Sequence, residues 1–183
     1  MDERFGDRFI KYAEDGSIIN VIDMINMNVN VNYQDRNGYT ALIKASHNFI
    51  NLPLIKLLLD SGADPNIENI YGQTALMNAV GNIDILKLLL NNGANPLLED
   101  DEGDTAYDIA IILQEYESAE LLKYYMMMYK MQRRRRRNLT YRKKRTQLAH
   151  KNLALSKLLD TYDVDEPLSR HMRRETIRSI FGY

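Results

Sequence analysis

The sequence predicts an all-α solenoid of about four helix-turn-helix repeats, the first and last of them degenerate caps, followed by a basic helical tail. Three observations carry this reading. Residues 70–95, IYGQTALMNAVGNIDILKLLLNNGAN, repeat the features of residues 37–66, and EGDTAYDIA at 102–110 opens a further copy. Gly38, Gly72 and Gly103 each stand two residues before a Thr (Thr40, Thr74, Thr105), and an Ala follows each Thr. The Leu runs at 57–59 and 88–90 each lead into Gly-Ala, at 62–63 and 93–94. Self-similarity at a period of about 30 residues marks units that bury their apolar faces only against their neighbours.

A chain of 183 residues holds one ordinary domain plus an extension, and 45% hydrophobic residues suffice for a packed core. There is no Cys, which excludes a disulfide framework and thiolate metal sites. The acidic opening MDERFGDRF has no apolar stretch of the secretory kind, and no run approaches the ~20 apolar residues of a membrane span. An intracellular protein is expected, cytoplasmic or nuclear.

The net charge of −1 hides a division. Residues 1–131 carry 9 Lys and Arg against 20 Asp and Glu, net −11, whereas residues 132–183 carry 15 against 5, net +10. An acidic body with a basic tail suits an anionic partner for the tail. The expected domains are 1–130 and 131–183.

Residues 7–32 form a degenerate first unit. Phe9, Ile10 and Ala13 share a helical face, Asp15-Gly16 breaks the helix, and Val21, Met24 and Ile25 suit a second one. Asn28 stands where later units have Gly, and Asn tolerates the left-handed conformation that ends helices. In the second unit Asp35-Arg36-Asn37-Gly38 is a turn, and Thr40 is placed to cap the helix beginning at Ala41. Leu42, Ile43 and Ala45 point towards the stack. Pro53 fits the first position of the next helix, Gly62 ends it, and Pro65 prevents its resumption.

This pattern resembles the ankyrin repeat, whose form is Gly-x-Thr-Pro-Leu-His-x-Ala-Ala, a Leu-rich second helix, then Gly-Ala-Asp-x-Asn. Gly38, Thr40, Leu42, Ala45, Leu57, Leu58, Gly62, Ala63, Asp64 and Asn66 match it. Gly72, Thr74, Leu76, Ala79, Leu88, Leu89, Gly93 and Ala94 match in the next unit, and Gly103, Thr105 and Ala110 in the last. The resemblance covers about residues 5–130. The chain is also similar to the ankyrin proteins of giant viruses and intracellular bacteria. It departs from the pattern at Ala41, Ala75 and Ala106, where Pro is usual, and at Ile43, Met77 and Asp108, where His is usual. A Thr–His hydrogen bond is therefore expected to be missing, with looser loops. Thr40 to Thr74 spans 34 residues but Thr74 to Thr105 only 31, so an irregularity is expected near Gly81.

A last helix of the stack is expected near residues 118–129, where Leu121, Leu122, Tyr125, Met128 and Tyr129 form a closing stripe. Arg133, Arg134, Arg135, Arg136 and Arg137 follow, then Arg142, Lys143, Lys144 and Arg145. Leu148, Leu153, Leu155, Leu158 and Leu159 resume an apolar helical pattern. Pro167 can open a final helix bearing Leu168, Met172, Ile177, Ile180 and Phe181.

No catalytic constellation is present, so an enzyme is not expected, nor a cofactor or metal. His47, His150 and His171 are scattered, and the acidic run at 99–104 lacks the alternating ligands and closing Glu of a calcium loop. It is expected to be a solvated hairpin tip. The ankyrin resemblance implies protein binding by the hairpin tips and inner-helix face, together a concave surface. The positions it points to are Arg36, Tyr39, Lys44, His47 and Asn48, then Ile70, Tyr71, Gln73 and Asn78, then Asp101, Glu102 and Asp104. Tyr39 and Tyr71 are of the type that anchors interfaces.

The Arg run suggests a second function, because consecutive like charges on a helix gain nothing from one another. Guanidinium groups grip phosphates bidentately, and Tyr141 could stack on a base. The expectation is an assembly subunit or tether, with a protein on the acidic concave face and RNA or DNA on the tail. The alternatives are a host-directed adaptor in which the basic run is a nuclear-import signal, or docking of that run on the acidic body of the same chain or a second copy.

Overall fold

The computed structural model describes residues 3–47 and 52–161, with side chains through Lys151. Asn48, the apolar side chains at 153, 155, 158 and 159, and the expected helix after Pro167 lie outside the described residues. Eight helices are present among them. They are α1 (Glu3–Glu14), α2 (Ile18–Asn26), α3 (Ala41–Ser46), α4 (Leu52–Asp60), α5 (Ala75–Asn78), α6 (Ile83–Asn91), α7 (Ala106–Ile112) and α8 (Tyr116–Thr161). α1 pairs with α2, α3 with α4 and α5 with α6, each pair making one unit, and α7 opens a fourth unit that continues into α8. The inner helices form a row in which α1 packs on α3, α3 on α5 and α5 on α7, while α4 packs on α6. Cα proximity divides the chain into Met1–Arg133 and Arg134–Tyr183, a division that falls within α8.

The apolar spacing accounts for the core. Phe9, Leu42, Leu76 and Ala110 from inner helices and Val21, Leu58, Leu89 and Leu122 from outer ones are fully or almost fully buried. Truncating one of the buried leucines to Ala costs about 2–5 kcal/mol, since stacked repeats collapse only partially around the cavity. Where neighbouring units bury Leu54 and Ile85, the first unit has exposed Asn20 at the same position of its outer helix. At this one position the first unit is polar where the later units are apolar.

Local chemistry sets the helix ends. Thr40, Thr74, Asn82 and Thr105 cap α3, α5, α6 and α7, each side-chain oxygen accepting from a backbone N–H three residues on. The three outer helices α2, α4 and α6 end alike: Val29, Ala63 and Ala94 donate N–H bonds of 3.0–3.1 Å to Met24, Leu58 and Leu89. The residue before each of these donors is left-handed: Asn28 at φ 59°, Gly62 at 91° and Gly93 at 90°. In α8 the same position is Met126, which has no such freedom, and the helix runs for 46 residues instead of 9. The expected helix at 118–129 is therefore only the beginning of a longer one.

The expected irregularity at Gly81 is present as a four-residue α5, against six residues in α3 and seven in α7. Gly81 N–H, released from the helix, donates to Ser118 Oγ at 3.2 Å.

The expected loss of the Thr–His bond holds at Ile43 and nearly so at Met77, but not at Asp108. Ile43 offers nothing, and Met77 Sδ accepts weakly from Thr74 N–H at 3.4 Å. Asp108 restores the contact, however. Its Oδ2 accepts from Thr105 Oγ1 at 2.6 Å and from Thr105 N–H at 3.0 Å, closing a reciprocal capping box. Nor are the loops loose, because adjacent hairpins are bonded to one another.

Candidate binding surfaces

The hairpin tips form a hydrogen-bonded row. Asp35 Oδ1 accepts from Asn37 and Tyr39 N–H, folding the first tip; Asn69 Oδ1 and Asp100 Oδ1 do the same in the next two. Ile70 N–H then donates to Asn37 O at 3.0 Å, and Asp101 N–H to Tyr71 O at 3.1 Å. At the opposite end of the loops, Asn32 bonds Gly62 O and Asp64 N–H, and Asn66 bonds Gly93 O and Asn95 N–H. These bridges fix the spacing of successive tips. Arg36, Ile70, Tyr71, Asp101 and Glu102 are consequently brought into one exposed series.

Ile70 and Tyr71 are 55% and 52% exposed, two large apolar side chains in succession on a tip otherwise lined by polar and acidic groups. Such a pair is hydrophobic area ready to be covered, with the Tyr hydroxyl free to find a polar partner. Three of the other candidates have their side chains occupied internally. Gln73 joins Asn69 through side chain and backbone, and Asn78 Nδ2 reaches Ile43 O at 3.5 Å, whereas Asp104 gives only its backbone N–H, to Asp100 Oδ1. Lys44 Nζ contacts Glu14 Oε1 at 3.2 Å and lies 4.2 Å from the centroid of the half-buried Tyr39 ring. His47, at the end of α3, is exposed.

Glu14 is the residue that sequence reasoning missed here. It ends α1 and receives Lys11 as well as Lys44, each at 3.2 Å. The hydrogen bond from Lys11 and then that from Lys44 hold its carboxyl below the ordinary 4.5, against the opposing pull of burial. Its one signal in the sequence is a spacing of 30 residues from Lys44, one repeat length.

The basic candidates Arg133, Arg134, Arg135, Arg136, Arg137, Arg142, Lys143, Lys144 and Arg145, and Tyr141 with them, all lie on α8 and are all exposed. At 3.6 residues per turn these nine cations occupy every side of the helix rather than one stripe. Among the described residues, none of them makes an ion pair. No helix among the described residues is long and apolar enough to cross a membrane.

Comparison with known proteins agrees with the repeat geometry. The family profile described as ankyrin repeats (3 copies) matches residues 10–100 and 49–132. Three ankyrin repeat proteins of Acanthamoeba polyphaga mimivirus are similar to parts of the chain. L86 is 45% identical over 67 residues, 34% of this chain and 12% of that protein. R664 is 40% identical over 79 residues, 39% of this chain and 48% of that protein. L289 is 46% identical over 57 residues, 29% and 10% respectively. The chain thus spans half or less of the length of each of these relatives. With the profile covering most of the sequence and the capped helix pairs stacked as described, this chain belongs to the ankyrin-repeat family.

Proposed function

We propose that this chain is a non-enzymatic binding protein whose hairpin tips and acidic inner-helix face hold a protein partner while its Arg-rich helix contacts nucleic acid, as an assembly subunit or tether. The nucleic-acid half rests on one observation. Between Glu120 and Asp160 the sequence has no carboxylate, so none of the cations at 133–145 has an acidic neighbour three or four residues away on its helix. Like charges at i, i+3 and i, i+4 each disfavour a helix by about 0.2–0.5 kcal/mol, so fold stability does not explain the run. Phosphates would supply the missing charge, and each neutralised phosphate releases condensed counterions.

Binding of a short mixed-sequence DNA or RNA to the full chain, measured by fluorescence anisotropy across salt concentrations, tests this. Affinity is expected to fall steeply with salt and to vanish when the Arg residues at 133–137 become Gln. An unchanged affinity in that variant sinks the nucleic-acid reading. The protein half is tested separately. Ile70→Ser with Tyr71→Ser should abolish capture of a protein partner by the otherwise intact chain, and retention of capture would move the interface elsewhere.

The similarity to mimivirus proteins favours a second reading, a host-directed ankyrin adaptor whose basic run is a nuclear-import signal. It predicts that a fluorescent fusion accumulates in nuclei and that the Gln variant does not, with no affinity of the purified chain for nucleic acid.

A further inference from the structure

We propose that Thr140 is a phosphorylation site whose phosphate is clamped by the cations around it, closing the basic helix to nucleic acid. On a helix surface the neighbours of a residue are those three and four positions away on either side. For Thr140 these are Arg136, Arg137, Lys143 and Lys144, so all four are cationic, and all five side chains are exposed. Thr140 Oγ1 donates to Arg136 O at 3.0 Å, which seats the hydroxyl against the helix in the middle of that group. Thr146 makes the matching bond to Arg142 O, also at 3.0 Å, but Ala149 and His150 follow it, so its surroundings are only half cationic. These are the only two Ser or Thr hydroxyls in residues 133–151.

The chemistry is ordinary phosphoryl transfer by a protein kinase using a nucleoside triphosphate. Oγ1 forms a bond to the γ-phosphorus, the bond to the β–γ bridging oxygen breaks, the hydroxyl proton passes to the kinase's base, and the diphosphate leaves. Arg137 and Arg136, three and four residues before the acceptor, suit a kinase with an acidic substrate cleft. The uncompensated like charges of the run favour the local helix opening that such a cleft needs. Once attached, the phosphate carries about −1.5 to −2 charge and three acceptor oxygens, and guanidinium or ammonium groups are its natural partners. Four of the nine cations at 133–145 would then be turned inward.

The effect on binding rests on the nucleic-acid reading, whereas the site and the clamp do not. The full chain is treated with ATP and a Ser/Thr kinase that selects Arg three residues before the acceptor. It is then mapped by fragment mass spectrometry, titrated by phosphorus NMR, and tested against a DNA duplex. Phosphate is expected on Thr140, with its second ionisation below about 6 and returning towards that value in a Lys143→Gln, Lys144→Gln variant, which keeps the upstream Arg residues. Duplex affinity should fall at least tenfold, and the salt slope should shrink by about 2–4, at ~0.9 for each DNA phosphate that is no longer neutralised. Phosphate placed elsewhere, or an ionisation indifferent to Lys143 and Lys144, overturns the proposal. So does a phosphorylated chain that binds duplex as tightly as before. If the unmodified chain does not bind duplex at all, the nucleic-acid reading fails, and the mapping and titration still decide the site and its clamp.

Discussion

Lys44 reaches from α3 to Glu14 at the end of α1, 3.2 Å away, and covers the Tyr39 ring at 4.2 Å. One cation thus joins two repeats and steadies an aromatic side chain beside the hairpin tip. Because hydrogen bonds depress the Glu14 carboxyl in the folded state, its contribution is full above the ordinary value of 4.5 and is lost as pH falls through the lowered folded value. The pair is partly exposed, so the effect is small, about 0.2–1 kcal/mol. In urea titrations Glu14→Gln should be less stable than the parent at pH 7, and the gap should close towards pH 3. A gap that persists at pH 3 would show that the carboxylate charge is not the cause.

Thr105 and Asp108 cap one helix start reciprocally, and each satisfies a group of the other. Thr105→Ala and Asp108→Ala should each cost about 1 kcal/mol. Together they should cost clearly less than the sum, because either change destroys the same box. Full additivity of the two midpoint shifts would contradict this coupling.

The two left-handed positions Gly93 and Gln114 should respond in opposite directions. Gly93 has φ 90°, so Gly93→Ala should destabilise by about 1–2 kcal/mol. Gln114 takes φ 62° with a full side chain, and Gln114→Gly should stabilise by up to about 1 kcal/mol. Thermal midpoints moving the same way in both variants would refute the assignment.

Gly6 lies in α1 directly beneath the Tyr33 ring, which a Cβ at that position would strike. Tyr33 is also tethered by hydroxyl bonds to Asp7 Oδ1 at 3.1 Å and Glu3 O at 3.3 Å, so it cannot retreat without breaking them. Gly6→Ala should cost about 1–3 kcal/mol despite the better helix propensity of Ala. A second substitution, Tyr33→Ala, should abolish most of the difference between Gly and Ala at position 6.

The repeat period, the capping threonines, and the left-handed Asn28, Gly62 and Gly93 were all determined by the sequence alone. Each expresses a demand made within a few residues: a hydroxyl for a free N–H, or a residue that tolerates positive φ. The start of α8 belongs with them, but its length does not, since the expected helix stops near residue 129. Met126 stands where Gly62 and Gly93 end their helices, a difference visible once the repeats are set one beneath another. Only the tertiary structure decided which candidate side chains remain free. Gln73, Asn78 and Lys44 are drawn into bonds across turns or repeats, while Ile70 and Tyr71 are left in solvent. It also decided that Asp108 replaces the missing His and that Glu14 meets Lys44. Such contacts depend on where stacking places one unit against the next, a distance set by the packed core and the hairpin bridges rather than by any residue's own conformational preference.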